Sequence, residues 1–266
     1  MTRLIHIADL HFGTEDPALV DAFVDFCHDA EPDVVVAAGD FTQAGRRREF
    51  QAAADFVARL PAPAVGTPGN HDVPVRSLRQ RFITPWDRFD RYLRPVLAES
   101  HAAPGLQVES LVTARRAQWQ PDWSLGRIGR RALERTLGRF DGDGDTTRVL
   151  TCHHPILAPR GSLGRARTAH AWRAAPQIAA HCDLVLTGHL HETFAQSLSV
   201  GDHACWFVGC GTTFSHRTRE EEAGFNLLTL DRDTIETVHY EAGPNRRFQR
   251  RAGRMLSRAA HRASHP

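Results

Sequence analysis

The run "DVVVAAGD", residues 33–40, contains five consecutive apolar residues that are followed by a glycine and a single acid, Asp40. A nearly continuous apolar run of this length is typical of a β-strand that is covered on both faces. In a sheet flanked by helices, side chains that follow neighbouring strands meet in one crevice, where such proteins bind ligands. The run therefore predicts a buried strand with a carboxylate at a potential binding site.

The segments around this run alternate between strand and helix patterns. "RLIHIAD", residues 3–9, predicts a strand that ends at Asp9, and "PALVDAFVDFCHDA", residues 17–30, predicts a helix with Pro17 in its first turn. A second helix is predicted over 46–60, and further strands within 61–72, 148–155, 182–191, 203–214, 224–230 and 234–240. This order predicts an α/β (α+β) layered fold. Because the last strands are joined by short turns, they favour a mixed sheet, or two packed sheets, over a purely parallel one.

Length and composition predict one large domain. The chain has 266 residues, 41% of them hydrophobic, which is enough for a full core, and we assign residues 1–245 to a single domain. All 33 basic residues are arginine, but 31 acidic residues leave a net charge of only +2. So mild a charge does not by itself imply binding of nucleic acid, which we do not expect as a partner, and nothing in the composition predicts the oligomeric state.

Two segments differ from the rest of this domain. Residues 73–147 are less regular, are rich in arginine and aromatic residues, and lie between two predicted strand ends, so we expect an insertion that shapes the substrate pocket, with a helix after Pro85. The C-terminal tail, residues 246–266, has seven arginines and no acid. Its apolar residues recur at helical spacing, which predicts a frayed or docked basic helix, with weak contact to an anionic membrane surface as the alternative.

The cysteines and the apolar runs predict a cytoplasmic protein. There are five cysteines, an odd number, and none has CxxC spacing, which favours reduced thiols. The apolar segment at the N-terminus is too short for a signal peptide, and no later run approaches the ~20 residues that cross a bilayer.

Five predicted strands end in residues that can bind metal. These are Asp9 and His11, then Asp40, then Asn70 with His71 and Asp72, then His153 with His154, and finally His189 with His191. Each motif alone is more typical of a cap or a turn, but five in succession, each after an apolar run, indicate one shared site. Carboxylates, imidazoles and a carboxamide without cysteine favour first-row ions such as Mn, Fe or Zn. Seven or more ligands suffice for two ions roughly 3.5–4 Å apart, with Asp40 as the natural bridge.

In their order, the motifs "DLH", "GD", "GNHD", "HHP" and "GHLH" resemble those of the calcineurin-like metallophosphoesterases, whose pattern is D-x-H, G-D, G-N-H-D/E, H and G-H-x-H. The resemblance covers about residues 4 to 191, and the five motifs match without a departure. It implies a sandwich of two mixed β-sheets flanked by helices, with a dinuclear metal site at the strand ends. It also implies hydrolysis of a phosphoester by a hydroxide that bridges the two metal ions.

The resemblance implies a set of seven metal ligands. One ion would be held by Asp9, His11 and His191, the other by Asn70, His153 and His189, and Asp40 would bridge them. His153 is preferred to His154 because the ligand of the family stands two residues before a proline. The ions would be two divalent or mixed-valence first-row metals, with Mn or Fe preferred and Zn or Co as alternatives.

Two further residues are implied to take part in catalysis. His71, beside the ligand Asn70, would stabilise negative charge on the phosphoryl group or protonate the leaving alkoxide. Asp72 would orient His71 and raise its pKa, the alternative being that Asp72 only caps the turn.

The motifs "GNHDVP" and "CHHPILAP" most resemble the bacterial cyclic-nucleotide phosphodiesterase and glycerophosphodiesterase branch, which implies a small phosphodiester substrate. One alternative is a nucleotide-lipid pyrophosphatase of the UDP-diacylglucosamine hydrolase type, but those enzymes usually have "GNRD" where this chain has His71. A second is a DNA exonuclease, whose relatives carry a further DNA-capping region. A third is a non-catalytic scaffold, against which the intact ligand set argues.

Overall fold

The computed structural model shows a sandwich of two β-sheets between layers of helices. It describes residues 1–74, 77–116, 122, 124–140, 146–162, 164, 167–215 and 221–259. The strands are β1 (Thr2–Ile7), β2 (Val34–Ala37), β3 (Ala64–Gly66), β4 (Ser100–Ala103), β5 (Leu106–Ser110), β6 (Gly126–Arg127), β7 (Thr147–Thr151), β8 (Thr168–Ala169), β9 (Leu184–Thr187), β10 (Phe194–Val200), β11 (His203–Gly209), β12 (Gly224–Leu230), β13 (Thr234–Ala242) and β14 (Phe248–Ser257). The helices are α1 (Pro17–Ala30), α2 (Arg47–Val57), α3 (Leu78–Ile83), α4 (Asp87–Tyr92), α5 (Arg130–Leu137) and α6 (Ala171–His181), with a 3₁₀ turn at Arg160–Ser162.

Both large sheets are mixed. The first has the strand order β14-β13-β12-β1-β2-β3, and the second has β10-β11-β9-β7-β5-β4. In the first sheet, β1 is parallel to β2 and antiparallel to β12. In the second, β9 is parallel to β7 and β11, and β10 is antiparallel to β11. Two mixed sheets flanked by helices confirm the predicted fold class.

The apolar run in β2 is continuous because this strand is buried on both faces. Val34 and Val36 pack in the core between the two sheets, together with Val149 of β7 and Leu184 of β9. Val35 belongs to a second core, formed with the apolar faces of α1 and α2. A third core packs α5 and α6 against the outer face of the second sheet. The sequence of layers is therefore helix, sheet, sheet, helix.

Helix α1 begins where the sequence pattern predicts. The side chain of Asp16 accepts a hydrogen bond from the backbone N–H of Ala18 (3.0 Å), and Pro17 occupies the first turn. The helix ends at Glu31, which adopts a left-handed conformation with φ of 46°. The buried face of the helix includes Phe23, so the apolar stripe of the sequence is the face that covers the sheet.

Part of the segment 73–147, which we expected to be an insertion, belongs to the sandwich itself. Strand β5 pairs in parallel with β7, and β4 completes the edge of the second sheet. Helix α4 packs through Phe89 against the rings of Phe41 and Phe50 beneath α2. Residues 75–76, 117–121, 123 and 141–145 lie outside the described residues, and a role of this segment in shaping a substrate pocket stays a prediction.

The helix expected in the C-terminal tail is wrong, because residues 248–257 form β14 at the edge of the first sheet. The exposed edge of β13 offers a full row of backbone hydrogen bonds, and this pairing outweighs a helical spacing that contains Gly253. Several tail arginines pair with acids: Arg250 with Glu236, Arg251 with Glu241, and Arg258 with Asp183. Residues 260–266 lie outside the described residues, and contact of the tail with a membrane stays a prediction.

The five cysteines are free and buried. Among the described residues, none of the helices has the length and apolar character needed to cross a membrane. A cytoplasmic location stays a prediction.

The strand in the tail leads to a test of stability on two neighbouring residues. The side chain of Leu256 is fully buried in the core between the sheets, whereas the side chain of Met255 is 62% exposed. We expect Leu256→Ala to lower the free energy of unfolding by about 2–5 kcal/mol because it leaves a cavity. The matched variant Met255→Ala should change it by less than about 0.5 kcal/mol. Urea denaturation measures both, and equal effects would contradict the burial of Leu256 in the core between the sheets.

Candidate metal centre

The carboxyl ends of β1, β2, β7 and β9 meet at one rim of the sandwich. Backbone hydrogen bonds join the loops that follow them: Asp9 donates to the carbonyl of Gly39 (3.0 Å), and Gly188 donates to the carbonyl of His153 (3.0 Å). The two sheets also meet through side chains, because Nε2 of His191 lies 3.2 Å from Oδ1 of Asp9. The structure therefore brings motifs that are far apart in the chain into one place.

Five of the seven predicted ligands have a left-handed backbone. Their φ angles are 51° for Asp9, 48° for His11, 54° for Asp40, 72° for His189 and 57° for His191. Such angles in non-glycine residues cost about 1–3 kcal/mol each and persist only where the surrounding structure holds them. Strain of this kind clusters at functional sites. The tight turns at the strand ends thus direct these side chains into the site at a cost in stability.

The carboxylates of Asp9 and Asp40 are each held by a backbone N–H group. Oδ2 of Asp9 accepts a hydrogen bond from the backbone N–H of His189 (2.8 Å), and Oδ1 of Asp40 accepts one from the backbone N–H of His71 (2.8 Å). In each case the N–H belongs to another motif, so the loops orient one another's carboxylates. The second oxygen of each carboxylate faces the imidazoles of the site.

Asp9, His11 and His191 form a first group of potential ligands. Nε2 of His11 lies 3.4 Å from Nε2 of His191 and 3.8 Å from Oδ1 of Asp9. All three residues are buried. Oδ1 of Asp9 and Nδ1 of His11 are buried polar atoms that have no hydrogen-bond partner in the part of the chain that the structure describes. Converging nitrogen and oxygen donors of this kind fit a cation between them.

Asn70 and His153 form a second group with Asp40. Nδ1 of His153 lies 2.8 Å from the carbonyl oxygen of Ala38, and since a carbonyl can only accept, Nδ1 carries a proton. Nε2 is then directed at Oδ1 of Asn70 (3.1 Å) and Oδ2 of Asp40 (3.3 Å). A nitrogen that faces two oxygen acceptors needs a proton or a metal ion between them. A backbone carbonyl that fixes the other ring nitrogen is typical of metal-binding histidines.

Asp40 lies between the two groups. Its Oδ2 atom is 3.3 Å from Nε2 of His153 and 4.0 Å from Nε2 of His11. One oxygen therefore faces both groups, as a bridging carboxylate must.

His154 and His189, which follow strands β7 and β9 of the second sheet, differ in their surroundings. Nε2 of His154 donates to the carbonyl of Ser124 (2.7 Å), and Nδ1 accepts from the hydroxyl of Thr113 (2.9 Å). Both ring nitrogens of His154 are thus occupied, which supports the preference for His153. The ring of His189 lies 5.2 Å from the ring of His153 and 4.6 Å from the ring of His154, and the three side chains can bring one nitrogen each within 4.8 Å of the others. Membership of His189 in the second group stays a prediction.

Burial and charge set the protonation states of the site. Burial lowers the pKa of His11 and of His189 to about 4, so both rings are neutral near pH 7, the form that binds metal. Burial alone would raise the pKa of Asp40, but the charges of His153 and His71 hold it well below its usual range. Burial opposes protonation of His153, yet the carboxylates of Asp40 and Asp9 raise its pKa to about 9. The carboxylates of Asp40 and Asp9 thus stabilise positive charge within the site.

The residues present fit two first-row metal ions. The seven side chains offer four imidazoles, two carboxylates and one carboxamide oxygen, and two of the carboxylate oxygens face inward. Asp9 and Asp40 are 0% and 2% exposed, and burying two carboxylates so close together is costly unless cations compensate them.

His71 lies beside His11 and Asp40. Its ring meets the ring of His11 edge-on, with the centroids 4.9 Å apart. Nδ1 lies 2.7 Å from the carbonyl oxygen of Gln43 and therefore carries a proton. Sequence reasoning missed Gln43, whose part is played by its backbone.

Asp72 is fully buried, and its carboxylate joins two turns. Oδ1 accepts from the N–H and the hydroxyl of Thr42 (both 2.9 Å), and Oδ2 accepts from the N–H groups of Phe41 (3.2 Å) and Gly69 (2.9 Å). Burial, reinforced by the charge of Asp40, raises the pKa of Asp72 to about 6. These contacts favour the alternative in which Asp72 only caps the turn, and a catalytic role of Asp72 stays a prediction.

Sequence reasoning also missed three glycines that stand next to ligands. An added Cβ atom would lie 2.1 Å from Oδ1 of Asp40 at Gly69, 2.5 Å from Oδ2 of Asp9 at Gly188, and 2.7 Å from Nδ1 of His153 at Gly39. Only glycine permits this approach. The signal was present, because "GD", "GN" and "GH" each place the glycine directly before a ligand.

Comparison with known proteins agrees with this geometry. Residues 2–193 match the model of the calcineurin-like phosphoesterase family. A probable cyclic nucleotide phosphodiesterase of Synechococcus sp. is 26% identical over 205 residues, which are 76% of this chain and 73% of that protein. The 3′,5′-cyclic adenosine monophosphate phosphodiesterase CpdA of Escherichia coli K12 is 28% identical over 172 residues, which are 62% of this chain and 56% of that protein.

Solved structures show the same fold at low identity. A purple acid phosphatase from yellow lupin superposes with a TM-score of 0.60 at 14% sequence identity, over 96% of this chain and 53% of that chain. Since the family model covers most of the chain, the resemblance carried by the five motifs is confirmed. The chain belongs to the calcineurin-like phosphoesterase family and is a phosphoester hydrolase.

Proposed function

We propose that this protein hydrolyses a small phosphodiester, a cyclic nucleotide or a glycerophosphodiester, with the help of two first-row metal ions. The proposal rests on one observation: Oδ2 of Asp40 lies 3.3 Å from Nε2 of His153 and 4.0 Å from Nε2 of His11. A carboxylate oxygen between two groups of ligands is what a dinuclear site requires. Mn or Fe is our first choice of metal, and Zn or Co the alternative.

The residues of the chain have separate tasks in this reaction. When bound, the two cations supply positive charge that offsets the phosphoryl oxygens and makes a water more acidic. Asp9, His11, His191, Asn70, His153 and His189 would hold them, and the carboxylate of Asp40, which faces both groups, would contribute negative charge to both. Water adds to phosphorus, one P–O ester bond breaks, and the leaving alkoxide takes a proton. The carbonyl oxygen of Gln43 holds Nδ1 of His71. The imidazolium form of His71 can therefore give its Nε2 proton to the leaving alkoxide.

A diester is favoured over the alternative substrates by the relatives. The two curated proteins described above are named as phosphodiesterases of cyclic nucleotides, at 26% and 28% identity. Two alternatives are enzymes that act on other substrates: a nucleotide-lipid pyrophosphatase and a DNA exonuclease. The third alternative is a scaffold without catalytic activity.

One assay separates these functions. Purified protein loaded with manganese is tested on bis-p-nitrophenyl phosphate, cyclic AMP, glycerophosphodiesters, a UDP-linked lipid and linear DNA, and its metal content is measured by elemental analysis. We expect about two metal ions per chain and the highest kcat/KM on a small diester. Bound metal without turnover of any substrate would favour a scaffold, and preference for the lipid or DNA would replace our choice of substrate.

Two substitutions distinguish metal binding from catalysis. Asp40→Asn removes the charge that both groups face, so we expect loss of metal together with activity. His71→Ala should lower kcat by roughly 10²–10⁴-fold and retain both metals, because His71 acts on the leaving group. Metal analysis and kinetics on the same preparations measure both. A metal-free His71→Ala protein would show that His71 is a ligand.

The close approach at Gly69 gives a steric test of the same site. The Cβ atom of Gly69→Ala would overlap Oδ1 of Asp40, so we expect weaker metal binding by at least tenfold. Gly161→Ala is the control, since nothing lies within 4 Å of the position of its Cβ atom. Titration with Mn²⁺ measures both variants, and equal affinities would refute the bridging position of Asp40.

A further inference from the structure

We propose that Thr42 is a positioning residue, whose hydroxyl group sets the orientation of the His71 imidazole. This inference rests on the proposed function and extends it to a residue outside the set of metal ligands and proton donors. Thr42 is fully buried, two residues after Asp40, between the loop that follows β2 and the turn at residues 69–72.

The hydroxyl of Thr42 contacts one side chain and two backbone groups. It lies 2.9 Å from Oδ1 of Asp72 and 3.2 Å from the carbonyl oxygen of His71, and it accepts a hydrogen bond from the N–H of Gly45 (3.2 Å). Its single proton is available to either oxygen. The N–H of Thr42 also donates to Oδ1 of Asp72 (2.9 Å). The loop that carries Asp40 and the turn that carries His71 are therefore connected through this residue.

The next residue along the chain holds the imidazole itself. The carbonyl oxygen of Gln43 lies 2.7 Å from Nδ1 of His71, and the N–H of Gln43 donates to the carbonyl of Phe12 (3.0 Å). Thr42 thus contacts the backbone of His71 through its hydroxyl group. It is also joined by a peptide bond to Gln43, whose carbonyl oxygen accepts the hydrogen bond from the ring of His71. Displacement of Thr42 would change both ends of the His71–Gln43 contact together.

The anchors of Asp40 are partly independent of this hydroxyl. The carbonyl of Asp40 accepts from the N–H of His11 (3.0 Å), and the N–H of Phe41 donates to Asp72 (3.2 Å). Removal of the hydroxyl should therefore disturb the imidazole of His71 more than the metal ligands. Thr42→Val keeps the shape of the side chain and removes the hydrogen bonds, whereas Thr42→Ser keeps the hydroxyl.

The kinetic test is a double-mutant cycle with His71→Ala. We expect Thr42→Val to lower kcat on bis-p-nitrophenyl phosphate by about 10–100-fold, with KM and metal content within about twofold of the parent protein. Thr42→Ser should stay within about threefold. In the His71→Ala background, Thr42→Val should cause less than about a twofold further loss, because its route of action is already removed. Thr147→Val, which removes a buried hydroxyl that accepts from Arg258, is the control.

A second readout does not depend on activity. In zinc-loaded protein, ¹⁵N NMR of the histidine side chains should show a protonated Nδ1 for His71, identified by its absence in His71→Ala. The signal should be lost or shifted in Thr42→Val and retained in Thr42→Ser. If Thr42→Val does not fold, Thr42→Ala replaces it.

The outcomes separate this inference from the proposed function. Absence of hydrolysis by the parent protein would refute the proposed function, and the NMR comparison would still decide the role of Thr42. Equal losses from Thr42→Val with and without His71, loss of metal, or an unchanged His71 signal would each overturn the inference.

Discussion

The burial of two carboxylates at the junction of two sheets is the constraint on which the rest of the site depends. Asp9 and Asp40 are 0% and 2% exposed, and each has one oxygen bound by a backbone N–H of another motif. The oxygens that face into the site have imidazole nitrogens as neighbours. Neutral imidazoles do not compensate two carboxylate charges in a buried environment, so the site requires cations. The same two carboxylates raise the pKa of His153 to about 9 despite its burial, because they stabilise a positive charge beside them.

This arrangement explains why the surrounding backbone is so unusual. Five of the predicted ligands adopt positive φ angles, and three glycines allow the chain to approach predicted ligands closely. Such turns are unfavourable by themselves, but they are short and join strands that are locked in the sandwich. The core between the sheets, to which Val36 and Leu184 contribute, sets the distance between the predicted ligands of the first sheet and those of the second. The geometry of the site is therefore a consequence of how the sheets pack, and substitutions in that core can alter it.

The parts of the structure that sequence reasoning missed share a physical cause. The tail was expected to be a helix because Phe248, Met255 and Leu256 recur at helical spacing, yet the open edge of β13 determines its conformation. Strands β4 and β5 were assigned to an insertion because β5 pairs with β7, about 40 residues further along the chain, and β4 in turn pairs with β5. In both cases the local pattern was weak and the deciding interaction was a backbone pairing with a distant strand. Asp72 is similar, since its partners Phe41 and Thr42 lie 31 and 30 residues earlier.

The amino-acid sequence by itself determined the family, the layered fold and the identity of the candidate ligands, because each ligand directly follows an apolar run and the motifs occur in a specific order. It could not determine which oxygen of Asp40 faces both groups, which histidine of the pair 153–154 keeps a nitrogen for the site, or what holds His71. Those features depend on hydrogen bonds to Ser124, to Gln43 and across the two sheets, over separations of about 30 to 180 residues. Only the tertiary structure decides such contacts, since they arise from the packing of distant segments and not from any local preference.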